Sequence, residues 1–470
     1  MVVIGAGTAG LVAASAAAGL GAKVALVEKH LMGGDCLNVG CVPSKALIRA
    51  ARACASVRNA AQFGLHVPEG VRVDFPKIME RMRRLRSQIS PVDSAHRYQN
   101  LGVDVFLGEG RFSGPDTVKV GGEKLQFAKA VIATGARAIA LPIPGLAEAG
   151  FLTNETVFSL TELPRRLAVI GAGPIGCELA QAFRRFGSEV TLFNKECRIL
   201  VREDRDAAAI VEKAFEREGI PLICGCDIQR VEKRGDAKVL HIRCQGESSE
   251  MEFDAILLGV GRAPNVEGLG LEAAGVSFDK RSGVEVNDYL QTTNPKIYAA
   301  GDVCLNYKFT HTADATARIV VQNALFAGRK KASTLVVPWC TYTDPEIAHV
   351  GLYENEALEK GMPVRTFEQK LDHVDRALLD GEPDGTVKIH VHEKTGRIVG
   401  ATIVASHAGE MISEITVAMA GNLKLASLAN VIHPYPTQAE GIKRCGDTAL
   451  RERLTPLLKH LLGKWLKWTR

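Results

Sequence analysis

The sequence predicts an α/β protein: two units of parallel sheet with covering helices, followed by a smaller α+β domain. Two observations carry that prediction, a glycine-turn phrase that returns after 166 residues and a change of character past about residue 333. The first phrase, VVIGAGTAGLVAASAAAGLGAKVALVEK, reads as strand, glycine turn, alanine-rich helix and a second strand ending in Glu28. Gly5, Gly7 and Gly10 give the GxGxxG spacing: a tight turn, close approach of backbone to a pyrophosphate, and tight helix–strand packing. The diphosphate would lie on the free N–H groups of the helix N-terminus. Glu28, 18 residues beyond Gly10, is placed to accept hydrogen bonds from an adenosine ribose.

The phrase returns as RRLAVIGAGPIGCELAQAFRRFGSEVTLFNK, with Gly171, Gly173 and Gly176 in the same spacing. Here Asn194 stands in the place of Glu28, with Lys195 beside it and Arg198 close behind. An acid suits free ribose hydroxyls and repels a 2′-phosphate, whereas a neutral residue among cations accepts that phosphate. NADPH is therefore predicted for the second unit; the alternative is that Lys195 and Arg198 are solvated surface charges.

Shorter phrases complete the layout. FAKAVIATGARA is a strand running into a glycine turn at Thr134-Gly135; MEFDAILLGVGRAPN repeats the form with Gly261; KIYAAGDVC ends a strand at Gly301-Asp302. Asp302 at a strand end can accept hydrogen bonds from a polyhydroxyl chain. TVKIHVHEKTGRIVGATIVA reads as a hairpin, with helices after it. The predicted boundaries are 1–150 completed by 265–332, then 151–264, 333–450, and a tail of 451–470. In that tail Leu457, Leu458, Leu461, Leu462, Trp465 and Leu466 recur at helical spacing among Lys459, Lys464 and Lys467. It reads as an amphipathic helix in peripheral contact with a membrane, or as a terminal helix docked on its own protein.

Composition excludes several classes. A net charge of +5 over 470 residues offers no support for nucleic-acid binding. No window holds 18 uninterrupted apolar residues, and the chain opens on an apolar strand without a basic leader, so a cytoplasmic protein is expected. With Met1 set directly against that strand, the chain also reads as one module of a longer product or as an alternative start. Eleven cysteines, odd in number and irregular in spacing, argue against a structural disulfide framework. Cys224-Gly-Cys226 is a candidate metal or redox pair that nothing beside it supports; no metal site is predicted.

The most specific stretch is GGDCLNVGCVPSK, Gly33 to Lys45. Cys36 and Cys41, five residues apart, are spaced wrongly for a metal knuckle and too widely for CxxC. A distorted first turn of helix would bring the sulfurs together at different depths. Helix N-terminal position and Lys45, on the same face as Cys41, would favour thiolate.

With both glycine turns, this stretch resembles the class I pyridine nucleotide-disulfide oxidoreductases, the glutathione reductase-like fold, over almost the whole chain. Within that family the catalytic core of mercuric reductase is the nearest likeness. The resemblance implies two Rossmann-like domains, a C-terminal dimerisation domain, FAD, NADPH and a homodimer. It implies FAD contacts from Gly5, Gly7, Gly10, Glu28, Gly110, Thr134, Gly135 and Asp302. It makes Cys36 the interchange thiol and Cys41 the flavin-facing thiol, with Lys45 and its partner Glu178 beside the nicotinamide. It implies a small disulfide or thiol adduct as substrate, the alternatives being Hg(II), or a binding flavoprotein with a weakly active pair.

The chain departs from the family at HPYPTQAE, His433 to Glu440. Counting back from Glu440 puts Tyr435 where disulfide reductases carry a proton-transferring histidine, with His433 two residues earlier. Mercuric reductase also carries tyrosine there. That enzyme's terminal cysteine pair is missing, since Cys445 stands alone, and Asp93 falls near the place of its second vestibule tyrosine.

Overall fold

The computed structural model describes residues 1–326 and 328–469; Ala327 and Arg470, the last residue of the basic tail, lie outside the described residues. The chain divides into two compact units. The first holds Met1–Arg58, Val67–Cys197 and Pro221–Leu335; the second holds Asn59–His66, Arg198–Ile220 and the chain from Val336 onward.

In the first unit, β1 (Val2–Ile4) feeds α1 (Thr8–Gly19), which returns to β2 (Val24–Glu28). α2 (Gly34–Asn38) and α3 (Cys41–Arg58) follow, then β3 (Val103–Leu107) and β4 (Ala130–Ile132). The second phrase gives β5 (Arg166–Ile170), α4 (Pro174–Phe186) and β6 (Glu189–Asn194). Next come β7 (Leu222–Cys224), the meander β8 (Cys226–Arg234), β9 (Ala237–Cys244) and β10 (Glu247–Phe253), and then β11 (Ala255–Leu258). β12 (Ile297–Ala299) and α5 (Thr310–Leu325) complete the unit's principal elements.

Two parallel sheets result, ordered β12-β4-β1-β2-β3 and β7-β6-β5-β11. Their central strands are buried on both faces, which is why β1, β4 and β5 read as near-continuous apolar runs. α1 lies close against its sheet because its contact side is alanine and glycine. A Cβ on Gly10 would overlap the Gly5 carbonyl oxygen, and Gly5 itself turns at φ +102°. Gly176 and Gly171 repeat both features, the latter at φ +105°.

The second unit carries an antiparallel sheet of β13 (Pro338–Thr341), β14 (Glu346–Gly351), β15 (Val364–Lys370), β16 (Thr386–His392) and β17 (Ile398–Ala405), ordered β13-β14-β17-β16-β15. β16 and β17 are the predicted hairpin. α6 (Ala408–Ala420) and α7 (Glu440–Arg451) contribute Met411, Ile412, Ile415 and Ile442 to its core. The tail forms α8 (Pro456–Trp468), and none of its residues is buried. It is therefore not docked in the way one reading of the sequence allowed. Among the described residues no helix is long and apolar enough to cross a membrane.

Candidate functional site

Cys36 and Cys41 do not share one distorted turn. Cys36 lies within α2 and Cys41 begins α3, with Val39-Gly40 between the two helices. A Cβ at Gly40 would press on the Asp35 carbonyl oxygen at 2.8 Å, so glycine is what lets the second helix start so close behind the first. Both cysteines are free thiols, Cys36 half-buried and Cys41 exposed, and their side chains hydrogen-bond to each other.

The pair is electrostatically divided. Cys41 is lowered to about 6: the Cys36 hydrogen bond leads, and the Thr310 hydroxyl and Lys45 reinforce it against desolvation. Thr310 Oγ1, on the first residue of α5, lies 3.4 Å from Cys41 Sγ. Cys36 moves the opposite way, raised first by its bond to Cys41, then by burial and by the Cys41 charge, with a smaller push from Asp93. One thiol of the pair thus keeps its proton while the other gives it up.

Lys45 Nζ sits 2.8 Å from Glu178 Oε2, which joins α3 to α4 across 133 residues of sequence; the Glu178 side chain is only 6% exposed. Below, Arg262 forms an ion pair with Asp35 and donates to the Ala136 carbonyl at 2.7 Å. Its Nε lies 3.8 Å from an Asp302 carboxylate oxygen.

The two glycine turns are built alike. Gly7 and Gly173 are N-caps with no side chain to cap the helix, which leaves the first N–H groups of α1, and those that follow Pro174 in α4, open to a ligand. At the end of β2, Glu28 accepts from Ala6 N at 2.7 Å and from His30 N at 2.8 Å. At the end of β6, Asn194 accepts from Ala172 N at 3.4 Å and donates to the Glu196 carbonyl at 3.0 Å. Lys195 is exposed in the same loop. Arg198 belongs to the second unit, where it donates to the Val201 carbonyl at 2.8 Å.

The predicted cysteine pattern needs correction. Cys197–Cys224 and Cys226–Cys244 are disulfides, so Cys224-Gly-Cys226 is neither a metal pair nor a redox pair of its own. Strand register is the reason: β8 and β9 set Cys226 opposite Cys244, and β7 sets Cys224 beside Asn194, within reach of the loop that carries Cys197. Cα separations of 4.9 and 4.4 Å fall within the span a disulfide bridges.

In the second unit the HPYPTQAE loop keeps its groups apart. The His433 side chain is 7% exposed, with Nε2 3.0 Å from Glu414 and Nδ1 3.1 Å from the Val431 carbonyl. Tyr435 is 71% exposed and donates to Asp375 at 2.7 Å. The Asp375 carboxylate raises the phenol above its ordinary value, so it holds its proton at neutral pH. Glu440 accepts from Arg444 at 2.9 Å.

Residues 1–317 match the pyridine nucleotide-disulphide oxidoreductase family, and residues 337–445 match that family's dimerisation domain. The chain belongs to this family. A mercuric reductase of Staphylococcus aureus is 38% identical over 443 residues, 94% of this chain and 81% of that protein. A dihydrolipoyl dehydrogenase of Chlamydia trachomatis is 36% identical, covering 93% of this chain and 94% of the other. Among solved structures, LpdA of Mycobacterium tuberculosis superposes with TM-score 0.87 at 28% identity, covering 95% and 99% of the two chains. The HOCl-induced flavoprotein disulfide reductase RclA of Escherichia coli, as its Cu(II) complex, gives 0.85 at 28%, covering 95% and 98%.

Pyridine nucleotide-disulphide oxidoreductases bind FAD and use a nicotinamide nucleotide, and the residues here fit the flavin. The Asp302 carboxyl is raised by burial, against Arg262 and Lys308, and no hydrogen bond reaches it among the described residues. A half-buried acceptor in that state suits a hydroxyl-bearing ligand. Thr134 and Gly135 are fixed by Asn265: Thr134 Oγ1 donates to its carbonyl at 2.8 Å, and its own amide donates back to the Thr134 carbonyl at 2.9 Å. Gly261, at φ +119°, faces Ile139. Gly110 is packed against Val27 and Ile4, where a Cβ would crowd Val27 at 2.9 Å.

Thr310, Arg262 and Asp35 were not singled out from the sequence. Arg262 lies in the GVGRAPN phrase and could have been found as a cation beside a glycine turn. Thr310 carried no signal.

Proposed function

We propose that the protein is an NADPH-dependent flavoprotein disulfide reductase, working as a homodimer on a small disulfide or thiol adduct. The observation that carries this reading is the thiol pair, hydrogen-bonded and electrostatically divided, beside the Lys45–Glu178 ion pair. FAD, when bound, supplies two-electron chemistry between the nicotinamide and the cysteines. In this reading Gly5, Gly7, Gly10, Glu28, Gly110, Thr134, Gly135, Gly261 and Asp302 hold it. Gly171, Gly173, Gly176, Asn194, Lys195 and Arg198 serve the nicotinamide nucleotide. Lys45, positioned by Glu178, supplies a fixed positive charge where electron density accumulates.

Cys36 performs the exchange. As Cys36 Sγ attacks one sulfur of the substrate disulfide, its proton passes to the neighbouring Cys41 thiolate, a mixed disulfide forms and the first thiolate leaves. Cys41 Sγ then attacks Cys36 Sγ, closes the intrachain disulfide and releases the second thiol, which carries away the proton that Cys41 had taken. The first leaving thiolate needs one further proton, and the partner subunit's Tyr435 in the proposed homodimer is the donor proposed for it. A Cys36→Ser protein should still be reduced by NADPH yet fail with every disulfide. Turnover at the parent rate in that variant would sink the assignment.

A second reading, reduction of Hg(II), has the likeness to mercuric reductases in its favour. Against it, Cys445 is buried and pushed up to about 12 by desolvation, so it offers no thiolate to capture a soft cation. NADPH oxidation with glutathione disulfide, lipoamide, quinones and Hg(II) in excess thiol separates the readings. Fast release of Hg(0) would favour the second.

A further inference from the structure

We propose that α8 is a membrane-surface anchor that lays the protein on an anionic phospholipid bilayer. The inference does not depend on which substrate the redox site takes.

At 100° per residue, the residues of α8 after Pro456 sort into an apolar half and a polar half. Leu457, Trp468, Leu461, Trp465, Leu458, Leu462 and Leu466 occupy one continuous half of the helix, in that order around it. Lys459, Gly463, Lys467, His460 and Lys464 occupy the other half. The helix has its own start signal: Pro456 at the first position, and Thr455 accepting from Leu458 N at 3.3 Å. Its apolar half nevertheless stays open, with Leu457 70%, Trp465 59%, Leu466 60% and Trp468 77% exposed.

Charge identifies the occupant. From Arg453 to the end of the sequence there are five lysines and arginines and no aspartate or glutamate. A protein partner would need a dedicated acidic rim around an apolar groove. An anionic bilayer presents both features at once, headgroup phosphates over acyl chains, along any direction of its surface. The two indoles, 5.4 Å apart on the apolar half, are side chains that settle at that boundary. The helix begins past residue 445, where the matched dimerisation domain ends. Thirteen residues are too few to span a bilayer, which leaves the in-plane orientation.

The test is sedimentation of the full-length, flavin-loaded protein with vesicles of phosphatidylcholine, with or without roughly one-third phosphatidylglycerol. Partition should favour the anionic vesicles by about tenfold or more and fall steeply between ~50 and ~500 mM salt. Leu461→Glu and the pair Lys464→Glu/Lys467→Glu should each remove the partition and leave flavin reduction by NADPH unchanged. The charge-reversal pair preserves the apolar half, so it remains informative if Leu461→Glu unfolds the helix. No partition into anionic vesicles at low salt would overturn the proposal. So would equal partition into neutral vesicles, or a Leu461→Glu protein whose defect is in self-association rather than lipid binding.

Discussion

The division of labour between the two thiols can be tested at Thr310. Its hydroxyl lies 3.4 Å from Cys41 Sγ and stabilises the thiolate by donating to it. A hydrogen bond to a charged group contributes ~1.5–3 kcal/mol, and a bond this long to sulfur belongs at the lower end. At 1.36 kcal/mol per pKa unit, Thr310→Val should therefore raise Cys41 by about one unit, from about 6 towards 7. The sign follows from the lowered value: thiolate predominates above the midpoint and is lost as pH falls through it. The observable is the long-wavelength thiolate–flavin absorbance of the two-electron-reduced protein, followed as a function of pH. In Thr310→Val the band should fade at higher pH than in the parent, with flavin content unaltered, and Thr310→Ser should restore the original midpoint. A Thr310→Val midpoint identical to the parent would refute the assignment of Cys41 as the flavin-facing thiolate held by Thr310. A Thr310→Ser protein shifted as far as the valine variant would show that side-chain shape, not the hydroxyl, matters.

Three further outcomes are expected. Lys195→Ala should raise the KM for NADPH roughly tenfold, the loss of one charged hydrogen bond, and leave that for NADH nearly unchanged; equal effects would make the cation structural. Gly176→Ala, whose Cβ would overlap the Gly171 carbonyl oxygen, should yield yellow protein that NAD(P)H reduces slowly, because the first glycine turn is untouched; a flavin-free product would contradict the separation of the two turns. Replacing Cys197 and Cys224 by serine opens a loop closed across 27 residues and should cost about 3.5 kcal/mol, seen as a lower melting temperature in the absence of reductant.

What could be read in the sequence was local, and what could not was register. Both glycine turns and the residues ending β2 and β6 follow from short spacing rules, and Glu28 and Asn194 reach back to equivalent amides of their turns. The disulfides were missed because Cys226 meets Cys244 only through the pairing of two strands. Thr310 reaches Cys41 across 269 residues of sequence, and Arg262 reaches Asp35 across 227, so no spacing rule could have joined them. Lys45 and Glu178 were joined only through family resemblance, since a glutamate on a helix carries no mark of its partner. The break between α2 and α3 was legible in principle from Gly40, the glycine between the two cysteines.

The HPYPTQAE loop shows how a departure from a family pattern can be absorbed locally. His433 has the right chemistry for proton transfer, but both ring nitrogens are engaged, by Glu414 and by the Val431 carbonyl, and its side chain is almost fully covered. Tyr435 lies in the open, and Asp375 holds its proton in place. The loop therefore uses its histidine as a fastener and presents its tyrosine. His433→Ala should leave disulfide turnover close to the parent value while lowering the melting temperature, because it strips hydrogen bonds worth ~1–3 kcal/mol from a covered site. Tyr435→Phe should do the reverse, slowing the exchange step with no change in flavin reduction or melting. The loss should fall short of the ~10²–10⁴-fold that a well-matched acid–base group contributes, because a phenol kept above its ordinary range transfers its proton reluctantly. A His433→Ala protein that melts normally but no longer turns over disulfide would reverse the two roles.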